Sequence, residues 1–472
     1  MRLLFIVRQV AYEPQGILHL SSVLKQAGHE VRLCIADQEH PSKAVKEFKP
    51  GIVGYSVITG SQRYYLDLNR ELKESFDVFS IFGGPHPTFF PEMIEEEGVD
   101  GICIGEGEGA VLDLAAALEN GRLEPNIRNW WFKLNGEVVR NPVRPLIEDL
   151  DTLPFPDRDL VYGQHRPTRN SKIKHFFGGR GCPYDCTYCF NHALFEIYKG
   201  QGKRVRKRSV DVVLDEVDDV RQRYPLSFVV FLDDTFIIRN DWIEEFATKY
   251  PRRVGLPFYC NVRANLVTEE LVQRLREAGC VSTGMGVEAG NDRIRNEILQ
   301  RNMSKEEILS ACQMLQAAGI NVMATNMLGL PTGGLDDDLQ TLRLNIQCRP
   351  AFGMAYIFQP YPRTQLGELA RREGLMEGTF DDISVSAWDN SVLRFPPHEK
   401  RQIENLQKLF AVTVEWPWLL PLVHRLLRLP KNRIFWLVHK LWKGYTIARR
   451  IHPVRLSARE YVEAIRHFMK VD

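Results

Sequence analysis

The sequence predicts an α/β protein of 472 residues: a doubly wound parallel sheet at the N-terminus, a partial (β/α)6 parallel barrel, and a helical C-terminal tail. Three observations predict it. Short β-branched runs alternate with amphipathic segments up to about residue 121, six further strand–helix units follow, and the last hundred residues lose the strand pattern and become basic. Strands buried on both faces and separated by helices read as near-continuous apolar runs in a parallel sheet.

The first five strands are RLLFIV, VRLCIA, IVGYSV, VFSIFGG and GICIGEG, with helices ending near Gly28 and around Lys43 to Phe48. Ligands of such sheets sit beyond the carboxyl ends of the strands. Small residues gather there: Gly54 to Ser56, then Gly83-Gly84-Pro85-His86-Pro87-Thr88, then Ile104 to Gly109. Backbone bare of side chains lets a large flat ligand approach closely, and ordinary tight turns are the other reading. Residues 1–122 are assigned to this domain. Residues 123–172 read as a linker, with a small hairpin around Asn135-Gly136 and a connector stiffened by Pro154 and Pro156. Residues 173–372 form the barrel, with strands KHFFGG, SFVVFLDD, FYCNVRA, STGMGVEA, NVMATNMLG and AYIFQPY, whose carboxyl ends carry the chemistry of such folds. Residues 373–472 are the tail.

Hydrophobic residues at 44% and charged residues at 26% exclude collagen-like, disordered and disulfide-scaffold chains. The 61 Lys and Arg against 60 Asp and Glu conceal an asymmetry: from Arg401 onward there are 14 basic and 5 acidic residues. MRLLFIV runs straight into Arg8 with no small-residue cleavage site, so a first strand, not a signal peptide, is expected, and the cytoplasm is the expected address. Cys34, Cys103, Cys260, Cys280, Cys312 and Cys348 stand singly in apolar or helical contexts, as buried free thiols do. Cys182, Cys186 and Cys189 crowd into eight residues, which in a reducing compartment points to metal.

The loop Gly181-Cys182-Pro183-Tyr184-Asp185-Cys186-Thr187-Tyr188-Cys189-Phe190 follows the first barrel strand. Three thiolates in one tight loop hold three corners of an iron–sulfur cube and leave the fourth iron open, unlike the four-cysteine clusters that only carry electrons. A zinc site with His192 as fourth ligand competes, although structural zinc favours paired C-x2-C knuckles over this C-x3-C-x2-C spacing. At these residues the sequence resembles the radical S-adenosylmethionine (SAM) superfamily. The resemblance implies a TIM-like partial barrel in which Cys182, Cys186 and Cys189 bind a 4Fe-4S cluster whose open iron chelates SAM. One electron from that cluster then yields a 5′-deoxyadenosyl radical that abstracts a substrate hydrogen. By position it implies that Tyr188 lies against the adenine and that Gly329-Leu330-Pro331 forms the backbone platform for it. Asp233, Asp234, Arg263 and Glu288 are implied to recognise the cofactor's amino group and ribose, or the substrate. Helix capping by Asp233-Asp234-Thr235, pairing of Glu288 with Arg293 or Arg295, and a structural ion pair at Arg263 are the blander alternatives.

The order of parts, a Rossmann-like domain with GYS and GGPHPT turns, then LDTLPFPDRD, then the cysteine loop, is similar to the cobalamin-binding class of radical SAM enzymes. That similarity implies that Ser56, Gly83 and Gly84 approach the nucleotide tail of cobalamin. The D-x-H-x-x-G signature is absent, since Asp37-Gln38-Glu39-His40 lacks its spacing and glycine; base-off cobalamin without a protein histidine is expected, or a degenerate domain that binds none. The implied reaction is C-methylation of an unactivated carbon in a small-molecule or lipid-like intermediate, with a one-electron reductant such as flavodoxin or ferredoxin as partner. Radical cyclisation, ring rearrangement or oxidation is the runner-up, and an iron–sulfur electron carrier the different-class alternative. Methylthiotransferases need a second cysteine set near the N-terminus, where only Cys34 and Cys103 stand.

In the tail, Ile434, Leu437, Val438, Leu441 and Tyr445 fall on one helical face with Phe435 and Trp442 beside it, while Lys431, Lys440 and Lys443 lie elsewhere. No charge-free run approaches the roughly 20 residues of a membrane span. Residues 416–450 therefore read either as an interfacial helix on an anionic membrane, placing the enzyme at its inner face, or as a cap that seals the barrel or a dimer. No recognised module accompanies the charge, so no nucleic-acid partner is expected.

Overall fold

The computed structural model describes residues 1–121, 123–386, 388, 390–457, 460, 461, 464 and 465. The end of the expected tail, 466–472, lies outside the described residues. The chain divides into two compact units: Met1–Asn170 with Leu194–Lys203, and Ser171–Ala193 with the residues from Arg204 onward.

The first unit is built on one sheet of seven strands: β1 (Arg2–Val7), β2 (Glu30–Ile35), β3 (Ile52–Ser56), β4 (Phe79–Gly83), β5 (Gly101–Cys103), β6 (Trp130–Leu134) and β7 (Glu137–Arg140). Their order is β2-β1-β3-β4-β5-β6-β7, with β1 to β5 parallel and the last two antiparallel. The strand order reverses direction between β1 and β3, which in doubly wound sheets opens a crevice at the carboxyl ends. The hairpin placed in a linker by the sequence instead extends this sheet, with Gly101 opposite Phe132 and Ile102 opposite Trp131. Burial decides it: Trp130 and Phe132, two apart and so on one face, are both buried, and the Trp130 indole donates to the Ala110 carbonyl at 2.7 Å. Asn135 and Gly136 both have positive φ, the pair a two-residue type I′ turn needs.

The second unit carries the barrel strands β8 (Ile173–Phe176), β11 (Phe228–Phe231), β12 (Phe258–Val262), β13 (Cys280–Glu288), β14 (Asn321–Leu328) and β15 (Phe352–Ile357), with a short hairpin of β9 (Gly179–Arg180) and β10 (Arg206–Lys207) after β8. The six form an open, all-parallel sheet in the order β15-β14-β13-β12-β11-β8, a half-barrel. Helices start where the sequence supplies caps: Ser209 ahead of Val210–Arg223, Thr268 ahead of Glu269–Ala278, and a capping box of Ser304 and Glu307 ahead of Lys305–Ala317. Each cap satisfies backbone N–H groups that the first turn leaves without partners. The helix Pro397–Glu415 covers the end of the sheet at β15. It buries Leu406, Leu409, Phe410 and Val414 in one cluster with Leu328, Leu342 and Ala355, and Gln407 donates to the Ala355 carbonyl at 3.0 Å.

Candidate active site

The cysteine loop hangs from a glycine-rich stem. Gly181 has φ +87° and a β-carbon there would collide with the Arg204 carbonyl oxygen, so only glycine lets the loop leave β9. Arg204 then holds the loop from outside, donating to the Tyr184 carbonyl and to the Asp185 carboxylate, both at 2.6 Å. Inside the loop, the Cys189 amide donates to the Cys186 carbonyl at 3.0 Å. The Cys182 sulfur lies 3.7 Å from the Thr235 hydroxyl, and Cys189 accepts from Asn191 Nδ2 at 3.8 Å. Cys186 is buried and accepts from two guanidinium groups, Arg263 at 3.6 Å and Arg301 at 3.9 Å. Burial pushes the Cys189 thiol up to about 11, and Asp234 and the other two thiols add to that. His192, the candidate fourth zinc ligand, has one ring nitrogen 3.0 Å from Asp185 and the other 2.7 Å from Gln365, so both are already engaged.

The other residues picked out in the barrel lie at carboxyl ends of strands but take different parts. Asp233 is buried; Gly178 N–H donates to one oxygen and Lys207 to the other, both at 2.7 Å. That makes it the anchor of the hairpin stem, and no helix begins at Asp233-Asp234-Thr235 to be capped, the next being Asn240–Arg253. Its neighbour Asp234 keeps solvent-exposed surface although protein surrounds most of it, and that desolvation raises its carboxyl while Asn191 and the Gly181 N–H draw it back. Among the described residues Arg263 forms no salt bridge: it stacks 3.7 Å above the Tyr184 ring and donates to Cys186, Asn265 and the Arg301 carbonyl. Glu288 pairs with neither Arg293, which donates to the Thr332 carbonyl, nor Arg295, which bridges to Asp292. It sits at φ +64° beside a register break after Gly286, a sparsely populated conformation for a glutamate of the kind bulges use to re-aim a side chain. Burial raises its carboxyl, and the charge of Arg301 is the largest opposing influence, followed by the Thr325 hydroxyl and Arg263. Gly329 has φ +66° and donates to both oxygens of buried Asp338 at 3.1 and 3.0 Å. The next residue, Leu330, shares an apolar cluster with Phe358 and the Tyr188 ring.

Arg301 was missed by the sequence reading. It donates to the Tyr188 hydroxyl at 3.0 Å, to Cys186 and to the Gly286 carbonyl, so one guanidinium ties the middle cysteine, the aromatic before the last cysteine and the end of β13. It lies between the helices Ile294–Ile298 and Lys305–Ala317, away from any strand end, so nothing in the local sequence pattern marks it.

In the first unit, Ser56 and Gly83 are register partners at the ends of β3 and β4. Gly84 follows at φ +97°, ψ −170°, a region open essentially to glycine alone, and a β-carbon there would lie 3.0 Å from the Val57 carbonyl oxygen. Thr88 laces two of the small-residue turns together, donating to the Gly84 carbonyl at 2.8 Å and accepting the Gly105 N–H at 3.0 Å. Tyr12 and Ile58, in the loops after β1 and β3, are exposed apolar side chains at the crevice edge. His86 is buried, contacts Thr59 at 3.3 Å and stacks on Phe90.

Residues 177–344 match the family described as Radical SAM superfamily, and residues 1–115 match the B12 binding domain. The chain is a radical SAM enzyme with a B12-binding domain. This radical SAM enzyme is 27% identical over 372 residues to an uncharacterized methyltransferase of Pyrococcus horikoshii, covering 77% of this chain and 79% of the relative. It is 25% identical over 377 residues to an anaerobic magnesium-protoporphyrin IX monomethyl ester cyclase of Rubrivivax gelatinosus, covering 75% and 66%. Among solved structures, the cobalamin-dependent S-adenosylmethionine radical enzyme OxsB with aqua-cobalamin bound shares the fold, at TM-score 0.68 and 17% identity over 99% of this chain and 75% of that one. The two domains bring a 4Fe-4S cluster with SAM, and cobalamin, as cofactors.

The residues present fit those groups. No three His, Cys, Asp or Glu side chains among the described residues converge so as to share one metal ion; a cubane gives each thiolate a different iron and asks for no such point. Three thiols in one short loop, with two guanidinium donors on the middle one, suit an iron cluster as their counterpart. In the first unit, the side-chain-free backbone at Gly83-Gly84 and the apolar Tyr12 and Ile58 suit a flat ligand with a polar tail. The second cysteine set of a methylthiotransferase is not assembled: Cys34 is in β2 and Cys103 in β5, at four strand spacings, on the order of 19 Å.

Burial holds His86 down to about 4 from an ordinary 6.5. The unfolded chain therefore takes up its proton first as pH falls, so stability drops from pH 6.5 toward 4 with a slope of up to about 1.4 kcal/mol per pH unit from this residue. Urea unfolding across that range should show this slope reduced in His86→Leu and unchanged above pH 7.

Proposed function

We propose that this enzyme methylates an unactivated carbon of a small, hydrophobic molecule, with radical cyclisation as the second reading. The observation that carries it is the loop of three thiols, gathered with Arg263 and Arg301 at the carboxyl ends of a half-barrel in a chain that also has a B12-binding domain. When bound, the cluster and SAM supply hydrogen-atom abstraction, and the corrinoid supplies a transferable methyl group. Cys182, Cys186 and Cys189 ligate the cluster. Arg263 and Arg301 neutralise the charge on Cys186, and Arg301 fixes the Tyr188 hydroxyl so that the ring offers its face to the adenine beside the Gly329 turn. Glu288 and Asp234, carboxyls raised by desolvation near the ends of β13 and β11, meet the cofactor's amino group and ribose or the substrate. Asp233 acts at one remove, by holding the loop stem. Ser56, Gly83 and Gly84 would receive the cobalamin tail, and His86, buried against Thr59 and Phe90, would not serve as a cobalt ligand. A flavodoxin or ferredoxin supplies the electron.

The relative named as a methyltransferase supports methyl transfer, and the one named as a cyclase is the reason for the second reading. Anaerobically reconstituted enzyme with SAM and dithionite should form 5′-deoxyadenosine, and S-adenosylhomocysteine alongside it on methylation. 5′-Deoxyadenosine alone with the true substrate would favour cyclisation, and neither product with any substrate or lysate would defeat both readings.

A further inference from the structure

The helix Arg433–Thr446 sits in the fold with its apolar face outward. Phe435, His439, Lys440, Lys443 and Thr446 are buried, while Ile434 (70% exposed), Leu437, Leu441 (63%) and Tyr445 face solvent. A helix that merely capped a protein core would bury that stripe. Here the opposite face is made buriable by aromatic partners: Lys440 lies 4.7 Å from the Trp436 ring and Lys443 3.9 Å from the Trp388 ring. The segment before the helix adds Trp416, Trp418 (74%), Leu422 and Leu429 to the exposed set. Eight of the thirteen large hydrophobic side chains exposed among the described residues thus fall between 416 and 445, which is a surface and not the single scattering normal for a soluble face. Ring contacts join its parts, Trp416 to Trp442 at 4.8 Å and Trp442 to Tyr445 at 5.5 Å.

We infer that residues 416–450 dock this enzyme on an anionic lipid bilayer. Charge selects the occupant. The segment holds eight Lys and Arg and no Asp or Glu; Arg425, Arg428, Arg433 and Arg449 are exposed around the apolar residues, and Lys431 is paired with Glu404 at 2.6 Å. A second copy of the chain meeting this face across a two-fold axis would set that all-basic surface against itself. Anionic headgroups complement it, with indole and phenol rings at headgroup depth and aliphatic side chains beneath. The contact is peripheral, because no helix among the described residues is long and apolar enough to cross a membrane. Such a surface would bring the enzyme to substrates that partition into lipid, yet the docking itself needs no turnover and stands or falls apart from the proposed chemistry.

The test is cosedimentation of the full-length holoenzyme, under anaerobic conditions, with phosphatidylcholine vesicles containing about a third phosphatidylglycerol, and with phosphatidylcholine alone. Binding to the anionic vesicles should exceed the neutral ones by about tenfold and fall between about 0.1 and 1 M salt, as the screening length shrinks. Ile434→Ser/Leu441→Ser should weaken partitioning by at least about tenfold, with circular dichroism and 5′-deoxyadenosine formation unchanged because both side chains are exposed. Arg425→Gln/Arg428→Gln/Arg433→Gln should remove the preference for anionic vesicles. Equal binding to both vesicle types, equal binding by parent and variants, or no binding at all overturns the proposal. So does a dimer, seen by sedimentation velocity without lipid, that the Ile434/Leu441 variant dissociates, because a second copy would then own the face.

Discussion

Cys186→Ala is expected to abolish iron–sulfur absorbance after anaerobic reconstitution and to drop 5′-deoxyadenosine formation to background. Cys186 is the middle cysteine, buried, with Arg263 and Arg301 both donating to its sulfur. On the proposed function its loss removes a cluster ligand, and it leaves two guanidinium groups without the sulfur they face. Cys34→Ala is the matched control, a buried thiol of the first unit whose nearest recorded partner is the Glu39 carbonyl; iron and sulfide content and product formation should stay at the parent level. A Cys186→Ala enzyme that retained a full complement of iron would show that the cluster is held elsewhere.

Lys207→Met should be the most destabilising single change in the barrel, by about 3–5 kcal/mol, because it strands a buried carboxylate. The Lys207 and Asp233 side chains are 3% and 4% exposed and 2.7 Å apart; the ammonium also donates to the Phe236 carbonyl at 3.0 Å and lies 4.5 Å from the Trp242 ring. Without it, Asp233 keeps only the Gly178 N–H. Hydrogen exchange of the β11 amides reads this locally, which matters in a chain of two units where global unfolding need not be two-state. The double variant Lys207→Met/Asp233→Leu should regain most of the loss, since a buried ion pair exchanged for apolar groups of similar volume is often neutral. No recovery would mean that the pair is worth more than its burial cost. Because Gly178 leads into the cysteine loop, Lys207→Met alone should also lower the iron content of the reconstituted protein.

Reading strands from the sequence worked because a strand buried on both faces is apolar whatever it packs against. All eleven predicted strands of the two parallel sheets form, and RLLFIV, FVVF and NVMATNML need no tertiary knowledge to be recognised. The cysteine loop was legible for a related reason: three ligands within eight residues share one loop wherever that loop goes. The hairpin at Asn135-Gly136 was visible as a turn, but whether it hung free or joined a sheet depended on the exposed edge of β5, about thirty residues earlier in the chain, which local pattern does not encode.

The same limit separates Asp233 from Asp234. Adjacent in sequence and alike in type, they diverge because successive residues leaving a strand point to opposite sides, one into Lys207 and the loop stem, the other toward solvent. Arg301 escaped notice because a guanidinium acts through space, and its partners Cys186 and Tyr188 lie more than a hundred residues upstream. The tail helix carried the sharpest ambiguity. Its amphipathic spacing defined two faces without saying which was inward, and an apolar stripe is ordinarily the buried one. Thus spacing along the chain decided the domain order, the half-barrel and the three thiols, because those follow from covalent neighbours. Which carboxylate anchors and which stays exposed, which arginine serves Cys186, and which face of Arg433–Thr446 meets solvent were decided only by folding, because each depends on a partner that proximity in sequence does not provide.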